Sequence, residues 1–303
     1  MEIFSNLTIV IPTFYPGSVI NNCINSLPNS SEIIIIDNSK NDEVSDLIKG
    51  SSHNIKYFKI GDVGLPKSFN FALEKAKNEY ILITQPDVTF GKDTIQKLIE
   101  ATGRYKNFGL LAPIIYENKQ YSAFNSLDLP LGKNGELVES KKTKKVKNII
   151  PSGDFCVEAV SATAMLLRKS ILKKIGGWDE NIYTYLEDLD LCVKLRRNKY
   201  QLIKIKSSIV DHIGFGSHKN ENVIKSELSR NWHFVWSSLY FRQKYSSNKN
   251  FINFLIKNFI KYSLKTFFFA MIFKKKKTIL NFMRLRACLN YIFIKKSNFR
   301  IKL

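Results

Sequence analysis

Three short apolar runs, Leu7–Ile11, Ile33–Ile36 and Tyr80–Ile83, each give way to polar residues: Pro12-Thr13, Asp37-Asn38-Ser39 and Gln85-Pro86-Asp87. Apolar runs of this length without alternation suit strands covered on both faces, and such sheets are built mainly of parallel strands with helices between them. The intervening stretches fit that reading. Val19–Leu27 is helical in pattern, Ile55–Phe58 supplies another strand, and Ser68–Lys77 places Phe69, Leu73 and Ala76 on one side of a helix. The prediction is an α/β fold, a mostly parallel sheet flanked by helices. Ligands of such sheets bind beyond the carboxyl ends of the strands, so Thr13, Asp37 and Asp87 should converge on one crevice.

No G-x-G-x-x-G or G-x-x-x-x-G-K-[ST] pattern follows the first strand, which argues against a dinucleotide site or a P-loop. A carboxylate-bound Mg²⁺ or Mn²⁺ is then the candidate for holding phosphate. Further along, Gly176-Gly177-Trp178-Asp179-Glu180 and Glu187-Asp188-Leu189-Asp190 place five carboxylates within fifteen residues of a basic chain. A turn followed by an acidic helix start accounts for the pattern, because the helix dipole favours negative charge in its first turn. Two readings stand: the acids only cap the helix and pair with nearby cations, or Asp188 is a general base at the mouth of the α/β site.

Val157–Leu167 reads as a central strand and Ile171–Ile175 as a short helix, while Leu202–Ile205 and Ile209-Val210 read as two strands, the second ending in Asp211-His212. The run Lys141–Lys147 is expected to be a solvated loop, with a contact to substrate phosphate as the second reading. Four dispersed cysteines without a C-x-x-C pair suggest neither zinc nor a disulfide framework and fit a reduced, cytoplasmic compartment.

Lys and Arg number 47 against 26 Asp and Glu, a net charge of +21, and no acid follows Glu227. The expected division is a catalytic domain over 1–228 and a basic helical region over 229–303 whose last part, from 250, is separable. Lys257, Lys261 and Lys265 recur every four residues among aromatics, and the longest uncharged run, Thr266–Phe273, is too short to span a bilayer. An amphipathic helix lying on an anionic membrane surface is expected, with no nucleic acid as partner.

The segments Val10-Ile11-Pro12-Thr13, Ile36-Asp37-Asn38-Ser39, Gly64 through Asn70, Gln85-Pro86-Asp87, Gly176 through Glu180, Glu187 through Cys192, and His212 with Gly216 and Ser217 resemble one family in order and spacing. These are the inverting glycosyltransferases of family 2, with the GT-A type nucleotide-diphospho-sugar transferase fold, in their rhamnosyltransferase-like branch of bacterial polysaccharide assembly. The resemblance covers about 1–245 and implies a donor site of Pro12, Thr13, Asp37, Asn38, Gly64, Asn70 and Asp87, with Asp37 accepting from the pyrimidine. It implies Asp188 as catalytic base, Asp87 and His212 as ligands of Mn²⁺ or Mg²⁺, and Trp178, Asp179 and Glu187 on the acceptor side. Two positions depart from the family: Gln85 replaces the first acid of the metal motif, and Asp62-Val63 stands where an Asn usually precedes Gly64.

The activity implied is transfer, with inversion, of a sugar such as rhamnose from a dTDP- or UDP-sugar to a lipid-linked or polysaccharide acceptor. Its setting would be O-antigen or capsule (lipopolysaccharide) biosynthesis on the inner face of the cell membrane. The competing reading, supported by Gln85, is a non-catalytic GT-A-like scaffold associated with the membrane.

Overall fold

The computed structural model of the chain describes residues 2–117, 119–122, 150–213 and 223–300; the run 141–147, Gly216 and Ser217 lie outside them. After a single 3-10 turn the elements are β1 (Leu7–Thr13), α1 (Val19–Asn25), β2 (Glu32–Asp37), α2 (Glu43–Ile48), β3 (Ile55–Lys59), α3 (Leu65–Lys75), β4 (Tyr80–Thr84) and β5 (Val88–Phe90). Next come α4 (Thr94–Arg104), β6 (Phe108–Glu117), β7 (Gln120–Tyr121), β8 (Phe155–Cys156), β9 (Ala164–Arg168), α5 (Lys169–Lys174), α6 (Glu187–Arg197) and β10 (Gln201–His212). The C-terminal part is helical: α7 (Val223–Tyr245), α8 (Asn248–Met271) and α9 (Lys275–Phe293).

The strands form one mixed sheet in the order β3-β2-β1-β4-β9-β6-β10-β5, with β7 on β6 and β8 on β10. Every residue of β1 and β2 is buried, as their unbroken apolar runs require. The two strands pair in parallel with Thr13 beside Asp37, so the register brings their polar ends together. One face of the sheet carries Ile9, Ile11, Ile33, Ile35, Leu82, Leu166, Ile203 and Ile205 into a single core, each side chain contributing about 1.5–3 kcal/mol when fully buried.

The expected strand over Val157–Leu167 is shorter and inverted. Only Ala164–Arg168 pairs, antiparallel to both β4 and β6, and most of the preceding residues form a loop at the carboxyl end of β4. The two strands expected at 202–205 and 209–210 are one, β10, whose pairing with β6 slips at a bulge between Ile205 and Ile209. A bulge breaks the period-2 pattern, which makes one strand look like two. Helix α3 begins before Ser68, with Pro66 in its first turn behind Gly64 at φ 91°; proline is preorganised there and glycine accepts that φ.

Two compact units emerge. The sheet unit takes the described residues of 1–130, 139–178 and 188–218; the helical unit takes Asp179–Glu187 together with the described residues from 223 onward. In the helical unit Trp232, Trp236 and Leu239 of α7 share a core with Tyr262 of α8 and with Met283, Cys288 and Tyr291 of α9. Residues beyond 250 are therefore half of a core, and removing them would leave two buried tryptophans exposed. The segment Asp179–Glu187 is tied to α7 through Ser237 Oγ donating to Thr184 O at 2.8 Å and Tyr183 stacked on His233 at 4.5 Å. Burial, reinforced by the Arg300 charge, pushes the His233 imidazole down to about 3, which makes it a neutral packing residue.

Candidate active site

Asp37 lies at the end of β2, fully buried, and is surrounded by donors. Its Oδ1 accepts from Thr13 Oγ1 at 3.1 Å and from the Ser39 N–H at 2.8 Å; its Oδ2 accepts from Tyr57 OH at 2.7 Å. Burial first, then the bond and charge of Asp37, raise the Tyr57 phenol, so it remains a donor. Asn38 closes the group: its N–H and Nδ2 donate to Thr13 O at 2.9 and 3.2 Å, and Ser68 Oγ of α3 donates to its Oδ1 at 3.0 Å. Thr13, Asp37 and Asn38 are thus one network; Pro12 stands opposite Ile36 in the same strand pair, and Gly64 O lies 2.9 Å from the Ser68 hydroxyl as an alternative acceptor of its one proton. Tyr57 and Ser68 belong to it without having stood out in the sequence. Tyr57 reads there as an ordinary strand residue.

Asp87 follows β4, buried, in the turn that leads into β5. Strand β10 sets His212 opposite Val88 on one side and opposite Glu117 on the other. The ring therefore bridges two acids, Nε2 to Asp87 Oδ1 at 3.4 Å and Nδ1 to Glu117 Oε1 at 3.2 Å. Burial disfavours the imidazolium, but Asp87 and then Glu117 outweigh it and the net shift is upward. Glu117 escapes sequence reasoning because only the β6–β10 register brings it to His212.

Among the described residues no three His, Cys, Asp or Glu side chains converge as a metal-binding group. Asp87 Oδ1 and His212 Nε2 are neighbouring donors of the oxygen and imidazole types that Mn²⁺ accepts, so these two residues would be the ones to hold such a cation. Glu117 lies on the opposite ring nitrogen, where a carboxylate orients a ligating histidine.

Asp188 opens α6. Its Oδ1 accepts from the Leu189 N–H at 2.8 Å and its Oδ2 from the Ala162 N–H at 3.3 Å. Burial raises its carboxyl above the ordinary range against those two bonds and one from its own backbone N–H, which makes the carboxylate a stronger base. One helical turn on, buried Cys192 holds the same loop, accepting from the Val160 N–H at 3.4 Å. That loop enters β9, where Ala164 pairs with Thr84, and Thr84 Oγ1 donates to Thr163 O at 3.1 Å. Because Thr84 is followed by Gln85-Pro86-Asp87, the Asp188 loop and the Asp87 turn leave the same end of neighbouring strands. Tyr185 and Leu186, just before α6, both have φ of 66°, the left-handed conformation that side-chain-bearing residues rarely adopt and that recurs at functional sites.

Asn70 and Trp178, expected on the donor and acceptor sides, are joined to each other. The Asn70 amide donates to Trp178 O at 3.0 Å and accepts from its N–H at 2.9 Å, and the buried Trp178 ring meets Phe69 at 5.0 Å. Gly177 is needed beside them, since its φ is 59° and a Cβ would lie 2.4 Å from Asn70 Oδ1. Asp179 and Glu187 fall in the helical unit. Asp179 accepts from Tyr240 OH at 2.9 Å and Lys244 Nζ at 2.6 Å; although burial acts against it, Lys244 and Asn181 hold its carboxyl at about 2. Glu187 is buried.

Curated relatives are distant. The chain is 23% identical over 206 residues to the low-salt glycan biosynthesis hexosyltransferase Agl10 of Haloferax volcanii, covering 65% of this chain and 64% of that protein. It is 22% identical over 232 residues to the N-acetylglucosaminyl-diphospho-decaprenol L-rhamnosyltransferase of Mycobacterium tuberculosis, covering 68% and 75%. It is 27% identical over 183 residues to the rhamnosyltransferase WbbL of Escherichia coli K12, covering 58% and 67%.

Among solved structures, the mannosyltransferase PcManGT of Pyrobaculum calidifontis, in complex with GDP-Man and Mn²⁺, superposes with a TM-score of 0.57 at 12% identity, covering 96% of this chain and 88% of that one. GalNAc-T7 with UDP, GalNAc and Mn²⁺ gives 0.53 at 15%, covering 68% of this chain and 43% of the other. These likenesses show the fold, which is GT-A-like. The match to the model of glycosyl transferase family 2 runs over residues 8–176, from β1 to the first glycine of the turn before Trp178, and by that match the chain belongs to family 2.

Proposed function

We propose that this protein transfers a hexose, with inversion, from a UDP- or dTDP-sugar to a lipid-linked glycan in cell-surface polysaccharide synthesis. The observation that carries the reading is the arrangement of Asp188: a base strengthened by burial, held by a loop leaving the same strand end as the Asp87 turn. The nucleoside falls to the carboxyl ends of β1 and β2, where the Asp37 network holds Thr13 and Asn38 in place. The acceptor hydroxyl attacks the anomeric carbon on the face opposite the diphosphate, and Asp188 takes its proton. The bond to the diphosphate oxygen breaks, and its electron pair leaves with the diphosphate. Asp87 and His212 are the residues to hold a divalent cation, which would supply positive charge against the leaving diphosphate. Glu117 keeps the His212 ring in place.

Rhamnose is the first sugar to test, since two of the relatives are named rhamnosyltransferases. A polyprenyl-diphosphate-linked amino sugar is the first acceptor, since one relative's name specifies a decaprenol-linked one. No helix among the described residues is long and apolar enough to cross a membrane, and a peripheral attachment at the inner face accords with the basic helical unit. The test is a panel of nucleotide sugars with Mn²⁺ and a short-chain polyprenyl-diphospho-sugar, reading nucleotide release and the anomeric configuration of the product. Retention at the anomeric carbon would overturn the mechanism. Donor binding without any transfer across the panel would favour the scaffold reading to which Gln85 points.

A further inference from the structure

Helix α8 presents two different apolar faces, and only one is used by the helical unit. Phe251 and Tyr262 are buried in its core, with Phe254, Leu255 and Phe259 packed against them. A second row, Ile252, Ile256, Ile260, Leu264, Phe267 and Met271, runs along the solvent side and is 50–67% exposed. Single exposed apolar residues are ordinary, but a continuous row along a 24-residue helix about 36 Å long is not. Lys257, Lys261 and Lys265, all exposed, each follow a member of the row by one residue, so their stems flank it and their charges stand at its edge.

The row ends at the corner between α8 and α9, where Phe273 is 92% exposed and Phe268 and Ile272 are also open. Lys274 to Lys277 follow at once, of which Lys276 reaches Glu227, the last acid of the chain, at 2.9 Å. At the same corner a shallow, open depression is lined by Ala270, Phe273 and Ile279 together with Lys275 and Thr278. An apolar lining beside an ammonium and a hydroxyl is the complement of an acyl chain with its phosphate.

We propose that the outer row of α8 and the α8–α9 corner form the surface by which this protein lies in an anionic phospholipid bilayer, with Phe267, Met271 and Phe273 among the acyl chains and the flanking lysines at the phosphates. This deepens the peripheral attachment proposed above and depends on it. The charge pattern selects the partner. A second copy placed face to face would bring two sets of lysines together, with no acid anywhere in 228–303 to answer them. A bilayer supplies both the apolar layer and the anionic layer at the right depths.

The test is co-sedimentation of the full-length protein with phosphatidylcholine vesicles, with and without phosphatidylglycerol, at low and high salt. Two variants accompany it: Phe267→Ser/Phe273→Ser, and Lys257→Gln/Lys261→Gln/Lys265→Gln. All five side chains are exposed, so melting curves should match the parent, and donor-nucleotide binding should be unchanged; loss of nucleotide binding in the parent would instead count against the proposed activity. The expected result is binding to the anionic vesicles that weakens with salt. It should fall at least about tenfold in the Phe variant and about a hundredfold in the Lys variant, at roughly 1 kcal/mol per lysine near the surface. Equal binding to neutral and anionic vesicles would overturn the proposal, as would variants that bind like the parent. So would a parent that ignores vesicles but dimerises, or binds RNA, through the same side chains.

Discussion

Lys204 offers the sharpest quantitative test of the sheet unit. It sits in β10 between Ala112 of β6 and Phe155 of β8, completely buried, with no hydrogen-bond partner for its Nζ among the described residues and with the Tyr121 ring 5.6 Å away. Burial pushes its ammonium down to about 8 from an ordinary 10.5. Two and a half pH units at about 1.4 kcal/mol each put the penalty near 3 kcal/mol, a good part of a domain's usual margin. The sign follows from proton binding. Below about pH 8 both states are protonated and the penalty is complete. Between there and 10.5 the unfolded chain holds the proton that the folded chain has lost, so stability rises with pH; above 10.5 nothing remains to gain.

Lys204→Met keeps the length of the side chain and removes the charge. It should stabilise the sheet unit by about 1–3 kcal/mol at pH 7, the lower figure allowing for the lost ring contact. The gain should shrink steadily from pH 8 to 10. Urea unfolding followed by circular dichroism, fitted with two transitions because each unit has its own core, measures it at each pH. A less stable variant at pH 7, or a gain equal at pH 7 and pH 10, would refute the reasoning.

Three further outcomes are expected. Asp188→Asn should reduce transfer by about 10²–10⁴ with little change in donor affinity, and turnover within threefold of the parent would remove Asp188 from the role of base. His212→Ala should weaken Mn²⁺-dependent binding of nucleoside diphosphate by about 10–100-fold, with Glu117→Gln causing a smaller loss; calorimetry with metal and with chelator tests it, and equal affinities for the parent in both would sink the cation assignment. Gly177→Ala should cost about 1–3 kcal/mol, read as a lowered melting temperature, because it adds a left-handed alanine whose Cβ meets Asn70.

What the sequence determined by itself was whatever depends on neighbours along the chain. Continuous apolar runs announced strands buried on both faces, and the missing acids after Glu227 announced a cationic helical end. Of the three residues expected in one crevice, Thr13 and Asp37 meet because one strand register follows directly from two such runs, while the partner of Asp87 is His212. Only the tertiary structure decided the rest, since the partners are distant in sequence. Strand β9 inverts between β4 and β6, which brings Ala162 to Asp188. The β6–β10 pairing delivers Glu117 to His212, 95 residues away, and the turn at Gly177 delivers Trp178 to Asn70, 108 residues away. Periodicity in α8 shows that the helix has apolar sides; which side is covered depends on where α7 and α9 pack. Lys204 carries no signal in the sequence at all, because a lysine in a strand reads as a solvent-facing residue until the neighbours on its own face are known.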